Sequence, residues 1–446
     1  LLVSIFSIVP TLILYYWQFP FANPLLLWSQ IIFSIILVAF GLPIFILLAS
    51  LAIFFFLSEP TEWATNYDLI STISDSAYRI VVSPTLAAIP IFTLAGYILA
   101  ESNISDRLIK FFKSSLGWLP GSTVLIVVIL CAFFTALTGG SGVTILALGA
   151  ILYPILVHDG YSKRFSLGII TTAGSLGLLF PPSLPAIIYS VTAGINPLEL
   201  FRQALIPAIF LMSIMFFYGL YMLPKNKKIE KFNFKNAYNS AKIAKWEIAI
   251  PVLIILSLFS GFATLVESAA LLVLYVLTVE LYIFKDVTFK DLPKIIIDCS
   301  TLVGGVLIIL GFAMGFTGYL VDAQIPLKIL NFVQNTISSK IIFLLALNIL
   351  LLIIGCLMDV FSAIIVVVPL IAPLAAYFGI DPFHLAIIFI ANLELGYITP
   401  PVGMNLYLSS YRFNKDMPTI YSATLPFFFI RLIGVLIITY IPLFFY

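Results

Sequence analysis

Charge is what this chain has least of. Only 9% of its 446 residues are Asp, Glu, Lys or Arg, against about 25% in ordinary soluble domains. The 22 basic and 20 acidic side chains leave a formal net charge of +2, too small for a nucleic-acid partner, which needs a basic face or stripe. Histidine occurs only as His158 and His384, near helix ends and without ligand spacing, so no metal centre is indicated. Cys131, Cys299 and Cys356 lie scattered in apolar segments with no paired spacing. Neither a disulfide framework nor a metal knot follows, and they read as packing residues. The sequence has no Gly-x-x-x-x-Gly-Lys-Ser/Thr loop, which excludes an ATP motor here, and no His-Glu-x-x-His, which argues against an intramembrane hydrolase.

What fills the space is hydrocarbon. Hydrophobic residues make up 62% of the chain, and apolar runs of the roughly 20 residues that a bilayer-crossing helix needs recur along it. Examples are 31–57, 124–157, 204–223, 248–284 and 341–378. The spans number about ten to thirteen, some too interrupted to cross simply. The one polar stretch, 224–246, carries seven lysines from Lys225 to Lys245 against Glu230 alone, which places it in the cytoplasm by the positive-inside rule. The run 248–284 is too long for one span and must turn back near Gly261, so the loop 285–294 is cytoplasmic too. The loop 58–83 carries Glu59, Glu62, Asp68 and Asp75 against Arg79 and suits the outer face. Trp17, Trp28, Trp63, Trp118 and Trp246 read as interface anchors, and Arg202 and Arg431 as topological anchors, with contact to an anionic substrate as the alternative. The chain opens at Leu1 inside an apolar run, so residues are expected to precede it.

The halves share their punctuation. Pro154, Gly160, Gly177, Pro181, Pro182 and Ser190 recur 219 positions later as Pro373, Gly379, Gly396, Pro400, Pro401 and Ser409. Gly96-Tyr97 recurs as Gly318-Tyr319, and the break at Gly41 as that at Gly261. Mostly turn-forming residues repeat, so backbone shape repeats. The equivalent loops 58–83 and 285–294 have opposite charge character, which points to repeats inverted across the membrane. In such folds discontinuous helices expose backbone polar groups to a solute near the midplane. Matching breaks are supplied by 138–142 and 180–183 in the first half and by 355–359 and 399–401 in the second. Paired prolines forbid a regular helix there.

Phe133-Phe134-Thr135-Ala136-Leu137-Thr138-Gly139-Gly140-Ser141-Gly142, Pro181-Pro182-Ser183-Leu184-Pro185, Gly355-Cys356-Leu357-Met358-Asp359, Gly379-Ile380-Asp381-Pro382 and Thr399-Pro400-Pro401-Val402-Gly403-Met404-Asn405-Leu406 stand in this order. The chain thereby resembles, from about residue 30 to its end, the large membrane subunit (M subunit) of the tripartite ATP-independent periplasmic (TRAP) transporters. The resemblance implies an all-α polytopic protein of two inverted repeats with re-entrant hairpins, divided into a scaffold and a mobile transport domain that works as an elevator. It also implies sodium coupling, a small four-helix membrane subunit, a periplasmic binding protein that delivers an organic anion, and a bacterial inner-membrane location. No cofactor and no enzymatic activity are expected. Residues 1–29 fall outside the usual start, as an extra helix or the tail of a fused small subunit; 30–223 form the first repeat, 224–246 the Lys-rich loop and 247–446 the second repeat. A hairpin is expected near 130–160 and another near 345–378, with broken helices near 165–194 and 383–411.

Sodium takes oxygen ligands, and the hairpin tips supply Thr138, Gly139, Ser141 and Gly142, then Asp359, Ser362 and Thr399. An anion favours helix N-termini, hydroxyls and amides. Thr171, Thr172, Ser175, Pro181, Pro182, Ser183, Asn392, Glu394, Pro400, Pro401 and Asn405 are the substrate candidates. A carboxyl within an apolar segment is a functional candidate by default, so Asp359 reads as ion ligand or hairpin cap, and Glu394 stands where the family pattern has a small residue. Glu267 reads as a helix cap and Asp298 as interfacial. Arg107, Lys110 and Lys113 alternate with Ile104, Leu108, Phe111 and Phe112 as on a helix lying along the membrane surface, either a hinged arm or a lipid-anchored connector, with 327–340 as its sister. The substrate reads as a dicarboxylate or related carboxylate, with sialic or keto acids and a stand-alone sodium–anion symporter as alternatives.

Overall fold

A computed structural model describes residues 44–58, 82–224, 232–337 and 339–444, with isolated positions at 71, 74, 75 and 78. The N-terminal extension 1–29, the break at Gly41, most of the acidic loop 58–83 and four of the seven lysines of 224–246 lie outside the described residues. Among the described residues every regular element is helical, as backbone polar groups in a bilayer require. The helices are α1 (Ile44–Ser58), α2 (Pro84–Glu101), α3 (Ile104–Leu116), α4 (Ser122–Thr138), α5 (Ser141–His158), α6 (Lys163–Ala173), α7 (Leu184–Ala193), α8 (Pro197–Tyr221) and α9 (Phe234–Ile243). There follow α10 (Lys245–Phe259), α11 (Leu265–Thr278), α12 (Leu292–Asp322), α13 (Ile325–Thr336), α14 (Lys340–Leu357), α15 (Val360–Tyr377), α16 (Pro382–Gly396), α17 (Met404–Phe413) and α18 (Met417–Tyr440). Among the described residues seven helices are long and apolar enough to cross a membrane, or nine if two bent pairs count as spans, with α4 and α16 shorter and apolar.

Local chemistry sets the boundaries. Gly261 turns the chain with φ +78°, and α11 starts in a capping box: Thr264 Oγ1 accepts from Glu267 N at 3.3 Å and Glu267 Oε2 from Thr264 N at 2.7 Å. Glu267 is therefore the cap expected of it. Asp381 and Asp416 cap α16 and α18, each followed by proline in the first turn. Between α2 and α3 the chain bends by 75°, and α3 turns Ile104 and Leu108 inward while Lys110 and Lys113 stay exposed, as read from the sequence, but Phe111 and Phe112 are only half-buried and Arg107 faces inward instead of joining the two lysines, because it pairs with buried carboxylates.

The chain divides into two compact units, each discontinuous in sequence. The smaller holds α1, residues 302–336 and 361–374; in it Ala52 is fully buried against Phe312, Phe316 and Tyr319, and the rings of Phe45 and Phe312 stack 6.2 Å apart. The larger, 84–301, 337–360 and 375–446, carries the hairpin tip at 138–142 and both proline breaks. Its core includes Phe92, Phe134, Tyr189, Phe201, Phe389 and Phe427, all under 3% exposed. Large apolar side chains also face outward along α8, with Ile206 79%, Phe217 64% and Tyr221 81% exposed. In water such a surface is untenable; in lipid it is the ordinary solvent-facing side.

Candidate functional site

The expected breaks are where the helices stop. α4 ends at Thr138, Gly139 takes the left-handed conformation (φ +71°), Gly140 is extended, and α5 starts at Ser141. α6 ends at Ala173, a single 3-10 turn covers Leu176–Leu179, and α7 resumes at Leu184 after the cis Pro181–Pro182 bond, the two segments bent by 44°. In the second half α14 ends at Leu357 and α15 starts at Val360, while α16 stops at Gly396 and α17 resumes at Met404 after the cis Pro400–Pro401 bond. Leu357, Val360 and Pro382 stand 219 positions after Thr138, Ser141 and Lys163, the offset of the proline motifs.

A helix end leaves four carbonyls without intrahelical partners, and buried ones must find donors. At the end of α6 those donors come from three different elements. Thr171 O accepts from Asn405 Nδ2 of α17 at 3.2 Å, Thr172 O from Arg431 Nη1 of α18 at 3.5 Å, and Gly174 O from Thr135 Oγ1 of α4 at 2.7 Å. Around them runs a chain of buried hydroxyls and amides. Ser141 Oγ donates to Asn405 Oδ1 at 2.7 Å, Thr171 Oγ1 shares a 2.8 Å bond with Ser409 Oγ, and Thr135 Oγ1 shares one of 2.7 Å with Thr144 Oγ1. Thus Ser141 of the first hairpin tip, Thr171 of the first break and Asn405 beyond the second, all candidates from the sequence, converge on one network.

Glu394 and Arg431 make a second cluster. Both side chains are 0% exposed, and Arg431 Nη2 donates to Glu394 Oε2. Nη1 reaches Ser175 Oγ at 3.1 Å, and Ser175 is the residue 219 positions before Glu394. One guanidinium therefore bridges the same position of both repeats. The membrane-edge reading of Arg431 is corrected by this geometry: the residue lies inside α18, buried by its neighbours. The signal was present in the sequence, as an arginine well inside an apolar run. Thr172 Oγ1, Glu394 Oε1 and Arg431 Nε are buried there without a partner.

Other candidates are held by the scaffold of the site. Ser183 Oγ donates to Leu178 O and caps α7 by accepting from Ala186 N at 3.4 Å. Asn392 Nδ2 donates to Asn348 Oδ1 at 2.7 Å, with Thr439 Oγ1 3.2 Å from the same oxygen. Thr138 Oγ1 donates to Phe134 O at 2.9 Å, and Thr399 Oγ1 to Leu395 O at 2.8 Å. Ser362 is buried in the first turn of α15 and Asp359 half-buried just before it. Tyr397, missed in the sequence, ties the second break to the start of α15: its hydroxyl oxygen accepts from Val360 N at 2.6 Å. Gly403 N donates to Cys356 O at 3.2 Å beside it. A cavity of about 420 Å³ adjoins this break, lined by residues that include Ile398, Thr399, Pro400, Tyr421 and Phe428. Among the described residues no three His, Cys, Asp or Glu side chains group as a metal site. The chemistry offered is recognition by hydroxyls, amides and carbonyls.

Residues 31–444 match the family model described as the tripartite ATP-independent periplasmic transporter, DctM component. The C4-dicarboxylate TRAP transporter large permease protein of Pseudomonas aeruginosa is 34% identical over 361 residues, covering 80% of this chain and 84% of that protein. The isethionate TRAP transporter permease protein of Oleidesulfovibrio alaskensis is 30% identical over 376 residues, covering 84% of this chain and 59% of that longer protein. In fold the chain is similar to the Alcanivorax borkumensis YdaH transporter, with a TM-score of 0.61 at 13% identity, covering 89% of this chain and 96% of that one. Motifs, multi-pass helical architecture and matched length agree, and the chain belongs to the large inner-membrane permease subunits of the TRAP transporters.

Proposed function

We propose that this permease imports a C4-dicarboxylate or a related small organic anion with sodium, by an elevator movement of a transport domain against a scaffold in a fold of two inverted repeats. The anion is delivered by a periplasmic binding protein, and a small four-helix membrane subunit completes the complex. The observation that carries the reading is the gathering of Ser141, Thr171 and Asn405 on the carbonyls freed where α6 stops. Backbone oxygens and hydroxyls released by a broken helix suit a hard cation, and the opposite ends of the resumed helices suit an anion. The two relatives described above are named for a dicarboxylate and for isethionate, both small organic anions.

In this reading Thr138, Gly139, Ser141 and Gly142 hold one sodium, and Asp359 and Thr399 contribute to another. Thr138 and Thr399 donate their protons to main-chain carbonyls, which leaves hydroxyl lone pairs for a cation. The substrate meets Pro181, Pro182, Pro400, Pro401 and Asn405, with Thr171, Thr172 and Ser175 behind them. Ser183, Asn392 and Glu394, already engaged by neighbours, hold the pocket in shape.

The test is uptake of labelled succinate into proteoliposomes that contain the permease, its small subunit and its binding protein. Uptake is expected only with an inward sodium gradient and the binding protein present. Asp359→Asn should raise the half-saturating sodium concentration about tenfold, a loss of about 1.4 kcal/mol. Uptake without sodium, or without the binding protein, would overturn the reading. If succinate fails, thermal stabilisation of the binding protein by a panel of C4-dicarboxylates, sialic acids and keto acids identifies the anion.

A further inference from the structure

Far along the chain from the proline breaks, three carboxylates converge on one guanidinium. Arg107, on α3, donates through Nη1 to Asp286 Oδ2 at 2.5 Å and through Nε to Glu247 Oε1 of α10, and its Nη2 lies 3.5 Å from Glu280 Oε2 in the π-helical turn that ends α11. The ring of Phe284 covers the guanidinium, 3.8 Å from Cζ to the centroid. The Glu247 and Glu280 side chains are 0% exposed and that of Asp286 12%. Glu247 Oε2 is wholly buried and has no hydrogen-bond partner.

Fully ionised, the group would hold three negative charges against one positive, with both glutamates wholly out of water and Arg107 and Asp286 only slightly exposed. Among the described residues no second buried cation faces it. Lys110 and Lys113 of α3, Lys235 and Lys242 of α9, and Lys245 and Lys285 at the ends of α10 and α11 are exposed; Lys245 lies over the Trp246 ring. Glu101 at the end of α2 is exposed and pairs with Lys294, and the Tyr275 hydroxyl of α11 donates to Trp246 O. Carboxylates that share a site cannot all ionise, and burial favours their neutral forms. Asp286 stays ionised: burial pushes its carboxyl up, but hydrogen bonds from Arg107 and Asn103 hold it below its ordinary value.

We propose that Arg107, Glu247, Glu280 and Asp286 form a proton-binding site that fastens the amphipathic helix α3 to α10 and α11, with a proton held on the Glu247–Glu280 pair at neutral pH. The unpartnered Glu247 Oε2 is an atom on which the proton can reside. Loss of the proton leaves two buried glutamates repelling each other beside Asp286, which loosens α3. The site lies between the Lys-rich segment and the loop 285–294, both expected on the cytoplasmic face, so it responds to cytoplasmic pH. None of this rests on which solute is carried.

The sign follows from linkage. An unfolded glutamate titrates near pH 4.3, so a proton held on the folded pair at neutral pH is one that folding retains. The stabilisation is therefore complete in acid and is lost as pH rises through the folded value. Infrared difference spectra of the purified full chain in lipid nanodiscs, stepped from about pH 6 to about pH 9, read the proton directly. The carbonyl stretch of a protonated carboxyl is expected at neutral pH, to fade as pH rises, to weaken in Glu247→Gln or Glu280→Gln, and to persist in Asp286→Asn. Melting temperature should fall across the same range in the wild type and stay level in the Gln variants. No such band in the wild type, a band unchanged in both Gln variants, or a wild-type melting temperature independent of pH would each overturn the proposal.

Discussion

A charge at the centre of a membrane helix costs about 2.5–3.5 kcal/mol or more, so Arg431 needs a reason, and its neighbours supply one. The guanidinium neutralises Glu394, reaches Ser175, and approaches Thr172 O at the C-terminal, electronegative end of α6. A buried pair and its apolar replacement are often close in stability, while removal of one partner costs about 3–5 kcal/mol because a buried charge is left alone. Arg431→Met should therefore lower the melting temperature of the detergent-solubilised protein strongly, and the double variant Arg431→Met with Glu394→Met should recover most of the loss. Equal melting temperatures for the single variant and the wild type would show that the pair contributes nothing. The charge of Arg431 within an apolar run hinted at a partner, but the pairing was not legible, because Glu394 and Arg431 sit on different helices and nothing local records their meeting.

Between elements, glycine decides how closely helices cross. A Cβ added at Gly396 would stand 2.6 Å from the Gly355 Cα, so α16 and α14 touch backbone to backbone. At the equivalent place in the first half a Cβ on Gly177 would stand 2.5 Å from Ala136 N of α4, and Ala136 lies 219 positions before Gly355. The same close crossing thus occurs beside both breaks. Gly396→Ala should force α14 from α16 and lower the melting temperature, whereas Gly305→Ala, with nothing within 4 Å of the new carbon, should be neutral or stabilising by about 0.5–1 kcal/mol, as alanine usually is in a helix. A Gly396→Ala protein as stable as the wild type would mean that the two helices are free to part. Features of this kind were legible, because proline and glycine act through the backbone at their own position: the tips, the turn at Gly261 and both breaks fall where those residues predict. The partnerships of Asn392 with Asn348 and of Tyr397 with Val360 were not, since an amide or a phenol in an apolar run announces a need for a partner without naming it.

At the level of the whole fold, the direction of the second repeat decides which side of the membrane each break faces. The residues that begin the two broken helices, Lys163 of α6 and Pro382 of α16, are equivalent and exposed, and both stand just inside their capping residues. If the repeats are inverted these residues face opposite sides of the membrane; if they are parallel they face the same side. Near Lys163, Gly160 is in contact range of Pro224, which opens the Lys-rich segment: a Cβ there would lie 3.3 Å from the proline ring. The positive-inside rule expects that segment in the cytoplasm, so Lys163 is expected on the cytoplasmic side and, with inverted repeats, Pro382 outside. With Cys131, Cys299 and Cys356 replaced by alanine, a membrane-impermeant maleimide applied to spheroplasts should label Pro382→Cys and spare Lys163→Cys, and inverted vesicles should give the reverse. Both positions leave the capping Ser162 and Asp381 intact, so failure to label does not follow from a lost cap. Labelling of both from one side would remove the inversion, and with it the requirement that a single transport unit expose its two breaks to the two faces of the membrane in turn.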